Sequence, residues 1–161
     1  MDITIPFTQI GIIHSSIDSP ENAPIQPKGA ADIVGEAEVY PQFAAGLQDL
    51  EGFSHIYLLY HCHKAKRMEL VVTPFMDTVE RGVFATRSPL RPNHIGLSIV
   101  EVIGVKDNIV HIKGVDIIDQ TPLLDIKPYI HNFDAVSQSR SGWMVADEAE
   151  VSKKRSDDRF V

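Results

Sequence analysis

The sequence predicts a mainly β fold of the barrel type. Short segments rich in β-branched or alternating apolar residues recur at intervals of roughly ten positions. Turn-forming residues separate these segments, and few stretches have the 3.6-residue period of a long helix. In a chain of 161 residues, these three observations favour one β-dominated barrel domain.

The first half of the chain contains three predicted strands. Residues 3–13 are rich in β-branched side chains, which favour extended backbone. Residues 31–39 alternate apolar and polar side chains, which is typical of a half-buried strand. Residues 55–61, HIYLLYH, are aromatic and aliphatic enough for a central strand. Residues 15–28 form a loop after the first strand, and residues 40–50 include FAAGLQDL, which predicts a compact helical turn.

The chain after residue 61 contains four more predicted extended segments. Residues 69–75 and 82–85 are short and apolar, and each leads into a more polar stretch. Residues 96–105, GLSIVEVIGV, alternate again and predict a longer strand. The turn residues 106–108, Lys-Asp-Asn, then connect this strand to the next one at residues 109–115.

One stretch, residues 82–100, differs from the scaffold around it. Its middle contains Thr86, Arg87, Ser88, Arg91, Asn93 and His94 among two prolines. The prolines exclude a helix and interrupt sheet pairing, so we expect a rigid polar loop between two apolar segments. Guanidinium groups on such a loop can bind carboxylate or phosphate, and an Asn can recognise a polar edge. The alternative is a proline-stiffened hairpin loop whose arginines are solvated.

A second polar cluster covers the end of the β-rich region. Asp116, Asp119 and Asp125 lie close in sequence to Lys127 and Tyr129, with prolines fixing the backbone between them. These residues predict a second wall of a polar site. The alternative assigns the carboxylates to turns, caps and local ion pairs, above all Asp116.

Residues 61–63, His-Cys-His, are a candidate metal site at the end of a predicted strand. In a strand His61 and His63 share a face, whereas Cys62 points to the other. The sequence has no second cluster with standard zinc spacing, which argues against this alternative.

Composition limits the functional classes. The formal net charge is -7, but residues 61–94 include six basic and three acidic side chains, so a basic face for RNA is possible on an acidic protein. A single cysteine, Cys62, excludes an internal disulfide framework and agrees with a reducing cytoplasm. We expect no signal peptide, because the first residues lack a basic region before an apolar core, and no membrane-spanning segment.

Three of these stretches together resemble the TsaA/TrmO-like family: residues 39–61, 82–100 and 114–129. The resemblance extends from Phe7 to Tyr129. Characterised members are S-adenosylmethionine-dependent tRNA methyltransferases that act on the modified adenosine beside the anticodon. The resemblance implies a closed, single-sheeted barrel with small added helices and a homodimer. The chain is similar to the short archaeal-type form, whereas bacterial members continue into a second small domain that assists tRNA binding.

No Rossmann-type glycine motif follows a predicted strand. The resemblance alone implies the site residues. It places S-adenosylmethionine against Pro24, Ile25, Gln26, His61, Cys62, Arg87, Leu97, Asp116, Ile117, Ile118 and Asp119. In the family the target nitrogen belongs to a threonylcarbamoyl group, so its lone pair is delocalised and a base is useful. Asp125 and Tyr129 are candidates to orient this nitrogen or accept its proton. Lys127 or Arg91 is the candidate to neutralise the threonyl carboxylate.

Two further expectations complete the prediction. Residues 1–133 form the barrel domain and residues 134–161 an extension, in which residues 141–143 pack back on the body and the end is a mobile tail. Two other functions remain open at this point. One is a sensor module that binds S-adenosylmethionine or a nucleoside without catalysis. The other is a metal-dependent hydrolase that uses His55, His61 and His63.

Overall fold

A computed structural model of the chain, which describes residues 3–24, 30–75 and 77–144, contains a closed β-barrel. The barrel strands are β1 (Gly11–His14), β2 (Val34–Val39), β3 (His55–His61), β6 (Ile95–Lys106), β7 (Ile109–Lys113) and β8 (Thr121–Pro128). Their order around the barrel is β1-β2-β7-β6-β3-β8, and every pairing is antiparallel. Two short strands, β4 (Val71–Val72) and β5 (Arg81–Gly82), form a separate sheet. The predicted mainly β class and closed barrel are confirmed.

Strand alternation fills the barrel interior with aliphatic side chains. On β3, Ile56 and Leu58 are fully buried, whereas their neighbours are partly exposed. The core also contains Ile13, Ala37, Val39, Val100, Val110, Ile112, Val115 and Leu123. Burial of such side chains stabilises the fold by about 1.5–3 kcal/mol for each large residue.

Helical structure is short throughout the described residues. The compact turn expected at residues 40–50 is present as 3-10 helices at Pro41–Leu47 and Leu50–Gly52. Further 3-10 turns lie at Pro20–Asn22 and Val83–Ala85, and one α-helical turn, α1, at His131–Asp134. Within the described ranges no helix has the length and apolar character needed to cross a bilayer.

Three details of the sequence prediction are wrong. The first strand begins only at Gly11, and the β-branched residues before it are exposed, including Ile3 at 80% and Ile5 at 71%. Residues 83–85 form a 3-10 turn instead of extended backbone, because the chain must turn before the rigid loop. Much of the second polar cluster is the strand β8, which closes the barrel between β1 and β3.

A β-bulge explains why β8 was not recognised. Its pairing with β3 shifts register between Leu59 and Tyr60, so Tyr60 lies opposite Leu123 while Leu59 lies opposite Asp125. The extra residue at position 124 interrupts the two-residue alternation. The positions whose side chains face the barrel interior therefore change from odd to even numbers along β8. For this reason the sequence shows no regular strand pattern.

A small second core lies beside the barrel. Val72, Val83 and Leu90 are buried together, and Ala65 and Phe75 pack against them. These residues come from the long excursion between β3 and β6. The second core fixes the polar loop at residues 86–94 against the barrel end.

Candidate functional site

A cavity of about 650 Å³ opens at one end of the barrel. The carboxyl end of β3 lies there beside the amino ends of β6 and β8, because both pairings are antiparallel. The lining residues come from six segments within residues 20–24, 60–65, 74–75, 84–89, 116–121 and 141–144. Segments that are distant in sequence therefore meet at one concave site of the size that holds small molecules.

Asp116 provides a carboxylate in the cavity wall. The buried hydroxyl of Ser98 donates a hydrogen bond to Asp116 Oδ1 at 2.7 Å. Burial raises the pKa of Asp116 to about 6, although the Ser98 hydrogen bond and the charge of Arg87 act in the opposite direction. The carboxyl group is therefore mainly ionised at neutral pH and can accept hydrogen bonds from hydroxyl or ammonium groups.

Arg87 brings a positive charge to the same cavity on a rigid loop. The backbone N–H of Ser88 donates to Thr86 Oγ1 at 3.2 Å. Arg91 Nη1 donates to the carbonyl oxygens of Thr86 and Ser88, both at 3.1 Å. Arg91 is outside the cavity lining and ties the loop backbone together, while Arg87 is placed to bind an anionic group such as a carboxylate.

Cys62 and His63 follow β3 and also line the cavity. The backbone N–H of Cys62 donates to the carbonyl oxygen of His94 at 2.7 Å. Burial raises the pKa of the Cys62 thiol to about 11, so it is neutral at physiological pH and a poor nucleophile. Burial also lowers the pKa of His63. In residues 3–24, 30–75 and 77–144, no three His, Cys, Asp or Glu side chains are grouped to hold a metal ion.

The other residues of the predicted cofactor set divide between the cavity and its surroundings. Pro24, Ile117 and Ile118 add apolar surface to the cavity wall. Ile25 and Gln26 lie outside the described residues, as does the predicted mobile tail. Asp119 lies outside the lining, and its Oδ1 accepts a hydrogen bond from the backbone N–H of Ser15 at 3.0 Å. Asp119 thereby holds the segment after β1 against the cavity wall.

Leu97 and His61 are not in the cavity lining. Leu97 is 52% exposed on the outside of β6, whereas its neighbour Ser98 faces the interior and is 2% exposed. The ring of His61 meets the ring of His94 edge-on, with centroids 6.2 Å apart. One bound molecule inside the cavity would therefore not contact Leu97 of the same chain.

Three catalytic candidates lie together on the outside of the barrel. Lys127 Nζ forms an ion pair with Asp125 Oδ2 at 2.9 Å, in which the lysine side chain is 63% exposed and the aspartate side chain 45%. The ring of Tyr129 meets that of Tyr57 edge-on at 5.9 Å. Asp125 and Leu97 both lie opposite Leu59, on the two strands that flank β3. We call Leu97, Asp125, Lys127 and Tyr129 the outer-face group.

Aromatic side chains form the rim of the cavity. Phe84 is 75% exposed although it lines the cavity, and Phe75 is partly buried nearby. Trp143 Nε1 donates to the carbonyl oxygen of Ala85 at 2.8 Å, and the Arg81 guanidinium lies 5.5 Å from its ring centroid. The segment around Trp143 thus packs back on the body. The rim offers flat apolar surface next to positive charge.

Sequence reasoning missed Tyr60 and Ser98. The Tyr60 hydroxyl lies 2.9 Å from Ser98 Oγ, and Tyr60 lines the cavity. The available signal was the parity of Ser98, which strand alternation places on the same face as Val100 and opposite to the charged Glu101. A buried hydroxyl in a barrel interior needs a partner, and that partner is Asp116.

Comparison with known proteins agrees with this architecture. The family model described as tRNA-methyltransferase O N-terminal domain matches residues 12–135. A probable S-adenosyl-L-methionine-binding protein of Pyrococcus abyssi is 49% identical over 160 residues, which cover 99% of this chain and 87% of that protein. A Mus musculus protein named tRNA (adenine(37)-N6)-methyltransferase is 36% identical over 133 residues, 78% of this chain and 31% of that protein.

A solved structure has the same fold. The crystal structure of TrmO from Pseudomonas aeruginosa matches with a TM-score of 0.74 and 37% sequence identity, covering 90% of this chain. The match covers 64% of that protein's chain, so the present chain spans less than two thirds of the solved structure.

Proposed function

The chain belongs to the tRNA-methyltransferase O N-terminal domain family, and from this premise we propose that it is an S-adenosylmethionine-dependent methyltransferase acting on adenosine 37 of tRNA. The acceptor is the exocyclic N6 nitrogen, in an adenosine that already bears a threonylcarbamoyl group. A tRNA substrate and the single cysteine favour a cytoplasmic location. The observation on which the proposal depends is the cavity that contains both Asp116 and Arg87.

The chemistry of the cavity matches the cofactor. S-adenosylmethionine has an amino-acid end with an ammonium and a carboxylate, a ribose with two hydroxyls, and a flat adenine. Asp116 can accept hydrogen bonds from the hydroxyls or the ammonium, and Arg87 can bind the carboxylate in fork geometry. Ile117 and Ile118 supply apolar contact for the adenine. When bound, the cofactor supplies a methyl group on a sulfonium, an electrophile that needs accurate positioning of its acceptor.

The rim supports a nucleic-acid substrate. Phe84 presents an exposed ring beside the cavity, and aromatic rings stack on nucleobases taken out of an RNA loop. Lys64 lines the same opening and can contact phosphate. An adenosine in the anticodon loop, turned outward, would stack on Phe84 with its N6 directed into the cavity.

We further propose that the enzyme is a homodimer whose sites are completed by the outer-face group of the partner. Leu97, Asp125 and Tyr129 lie on the outside of the barrel, where they cannot reach the cavity of their own chain. A second copy packed against this face would bring Asp125 or Tyr129 to a neighbouring cavity. There a carboxylate or phenol oxygen would accept the N6 proton, and Lys127 would neutralise the threonyl carboxylate.

A mixing experiment tests this arrangement. Arg87→Glu abolishes binding of the cofactor carboxylate in the cavity. Asp125→Asn removes the proton acceptor of the outer-face group. Each variant alone is therefore expected to be inactive. If sites are shared between subunits, unfolding and refolding an equal mixture restores roughly a quarter of the wild-type activity, because half of the dimers contain one intact site. A mixture that stays inactive while forming mixed dimers contradicts sharing.

Methyl transfer itself is tested with labelled S-adenosylmethionine and two tRNA pools. One pool contains threonylcarbamoyl-modified adenosine 37, and the other is transcribed without modification. We expect label in the modified pool with wild-type protein and at least tenfold less with Arg87→Glu, a difference of about 1.4 kcal/mol. Label in neither pool, with cofactor binding still measurable, contradicts the proposal.

The second candidate is a sensor that binds S-adenosylmethionine without catalysis. Two observations favour it: the net charge of -7, and the naming of the Pyrococcus abyssi relative as a binding protein. A sensor would bind the cofactor and form no S-adenosylhomocysteine with either tRNA pool. The same assay therefore separates the two functions.

A further inference from the structure

Three polar groups form a hydrogen-bonded chain from the barrel interior to the cavity. Tyr60 on β3 has its hydroxyl 2.9 Å from Ser98 Oγ on β6, and Ser98 Oγ lies 2.7 Å from Asp116 Oδ1. An ionised carboxylate only accepts hydrogen bonds, so the Ser98 proton is directed to Asp116. The proton of the Tyr60 hydroxyl must then be the one shared with Ser98. The chain therefore has one direction, from Tyr60 through Ser98 to Asp116.

Packing holds this chain in place. Ser98 is 2% exposed and lies on the interior face of β6. Tyr60 lies directly across from Gly96, and any side chain at position 96 would collide with the tyrosine ring. The glycine thus leaves a slot in which the ring is held, with its hydroxyl next to Ser98. The Ser98 hydroxyl is therefore shielded from bulk water, and the Tyr60 hydroxyl is held beside it.

We propose that Ser98 and Tyr60 are positioning residues that hold the Asp116 carboxylate ionised and oriented toward the ligand in the cavity. In this role they act through Asp116, although the Tyr60 ring also lines the cavity. One carboxylate oxygen is engaged by Ser98, which leaves the remaining acceptor positions of Asp116 for the ligand. The identity of that ligand as S-adenosylmethionine rests on the proposed function, whereas the orientation of Asp116 does not.

Other charged and titratable groups lie near Asp116 and can also influence the pKa of its carboxyl group. Arg87, from the polar loop, favours the ionised carboxylate. Cys62, from the end of β3, has a neutral thiol, and Arg91 lies near it. His63 and Lys64 also line the cavity. These groups are unchanged when Ser98 or Tyr60 loses its hydroxyl, so a shift in Asp116 titration in such variants reports the hydrogen-bonded chain.

The first test is carboxylate carbon NMR of the ligand-free protein, with Asp116→Asn used to assign the resonance. Ser98→Ala removes the donor to the charged form, so the Asp116 titration midpoint moves to higher pH. Tyr60→Phe removes the outer donor and produces a smaller shift in the same direction. The matched controls Tyr57→Phe, on the outer face of the same strand, and Ser54→Ala, on the surface, leave the midpoint unchanged. An unchanged midpoint in folded Ser98→Ala and Tyr60→Phe proteins overturns the inference.

The second test is calorimetric titration with S-adenosylhomocysteine between pH 5 and 8. At pH 7.5 we expect about tenfold weaker binding for Ser98→Ala and about threefold for Tyr60→Phe, with the acid limb of the affinity profile displaced to higher pH. Wild-type protein that binds no S-adenosylhomocysteine contradicts the proposed function and leaves the NMR result to decide the inference. Wild-type protein that binds, with both variants binding equally well at every pH, overturns the inference alone.

Discussion

The ring of Tyr60 occupies the space that a side chain at Gly96 would fill, across the β3–β6 pairing. The Cβ of an alanine at position 96 would lie inside van der Waals contact of three ring atoms of Tyr60. Glycine at this position therefore lets an aromatic residue lie flat across its neighbouring strand. This contact links the barrel core to the chain of hydroxyls that ends at Asp116.

Gly96→Ala is expected to displace the Tyr60 ring and to lower the free energy of unfolding by about 1–3 kcal/mol, the usual cost of overpacking. Urea denaturation measures this change. Gly46→Ala is the matched control, because a Cβ at Gly46 meets open space, and it should change stability by less than about 0.5 kcal/mol. Equal stabilities of the two variants would show that the ring moves aside without cost.

Asp116→Asn is expected to gain stability relative to wild type as the pH rises from about 4 to 7. The usual pKa of an aspartate is 3.8, and burial raises that of Asp116 to about 6 in the folded protein. Between these values the folded state binds more protons than the unfolded state, so the wild-type free energy of unfolding falls with rising pH. The asparagine variant has no carboxyl group at this position and does not lose this stability. Its free energy of unfolding, relative to wild type, therefore rises by on the order of 2–3 kcal/mol between pH 4 and 7.

Denaturation curves at several pH values measure this difference, with Asp18→Asn in an exposed loop as control. A constant difference between Asp116→Asn and wild type from pH 4 to 7 would mean that folding does not desolvate the Asp116 carboxylate.

Local sequence patterns predicted most of the barrel because its strands follow regular rules. Residues 55–61 and 95–102 alternate between the two faces of the sheet, and their strands lie close to the expected bounds, although β6 continues past a bulge at Ile103. The strand β8 was missed because its bulge breaks the alternation and its outward positions include Asp125 and Lys127. The sequence predicts a strand from residue 3, but the strand begins at Gly11. A β-branched composition favours extended backbone without supplying a neighbouring strand to pair with.

The candidate site was harder to predict than the barrel. Arg87 and Asp116 were expected to share a ligand, and the structure brings both to one cavity, although their roles stay predictions. Asp125 lies on the outside of the barrel opposite Leu59, and Tyr129 lies beside His55 at the end of β3 away from that cavity, which no local pattern reveals. Ser98 was unrecognised because burial of a single hydroxyl depends on a partner 18 positions later in the sequence.

Phe84→Ala is expected to reduce kcat/KM for tRNA by roughly tenfold, because stacking of one base on an aromatic ring contributes about 1–3 kcal/mol. The affinity for S-adenosylhomocysteine should change little, since Phe84 is assigned to the nucleobase of the tRNA. Phe133→Ala is the matched control, with an 81% exposed ring on α1 that is not part of the cavity lining. If both variants methylate tRNA equally well, Phe84 is not the stacking residue.

Trp143 should report ligand binding by fluorescence, because it is the single tryptophan of the chain and lines the cavity. Titration with S-adenosylhomocysteine is expected to change its emission and to saturate at the same Kd as calorimetry. Trp143→Phe removes the signal and the hydrogen bond to Ala85, which lowers stability by about 1 kcal/mol. Constant emission at a ligand concentration that calorimetry shows to be saturating would place the ligand elsewhere.

The most direct measurement is a crystal structure of the protein with S-adenosylhomocysteine. The proposed function predicts the ligand in the barrel-end cavity, with a polar group within hydrogen-bond distance of the Asp116 carboxylate and its own carboxylate on Arg87. It also predicts Leu97 and Asp125 of a second copy beside the same ligand. A ligand bound on another surface, out of contact with the Asp116 and Arg87 side chains, would contradict the proposal.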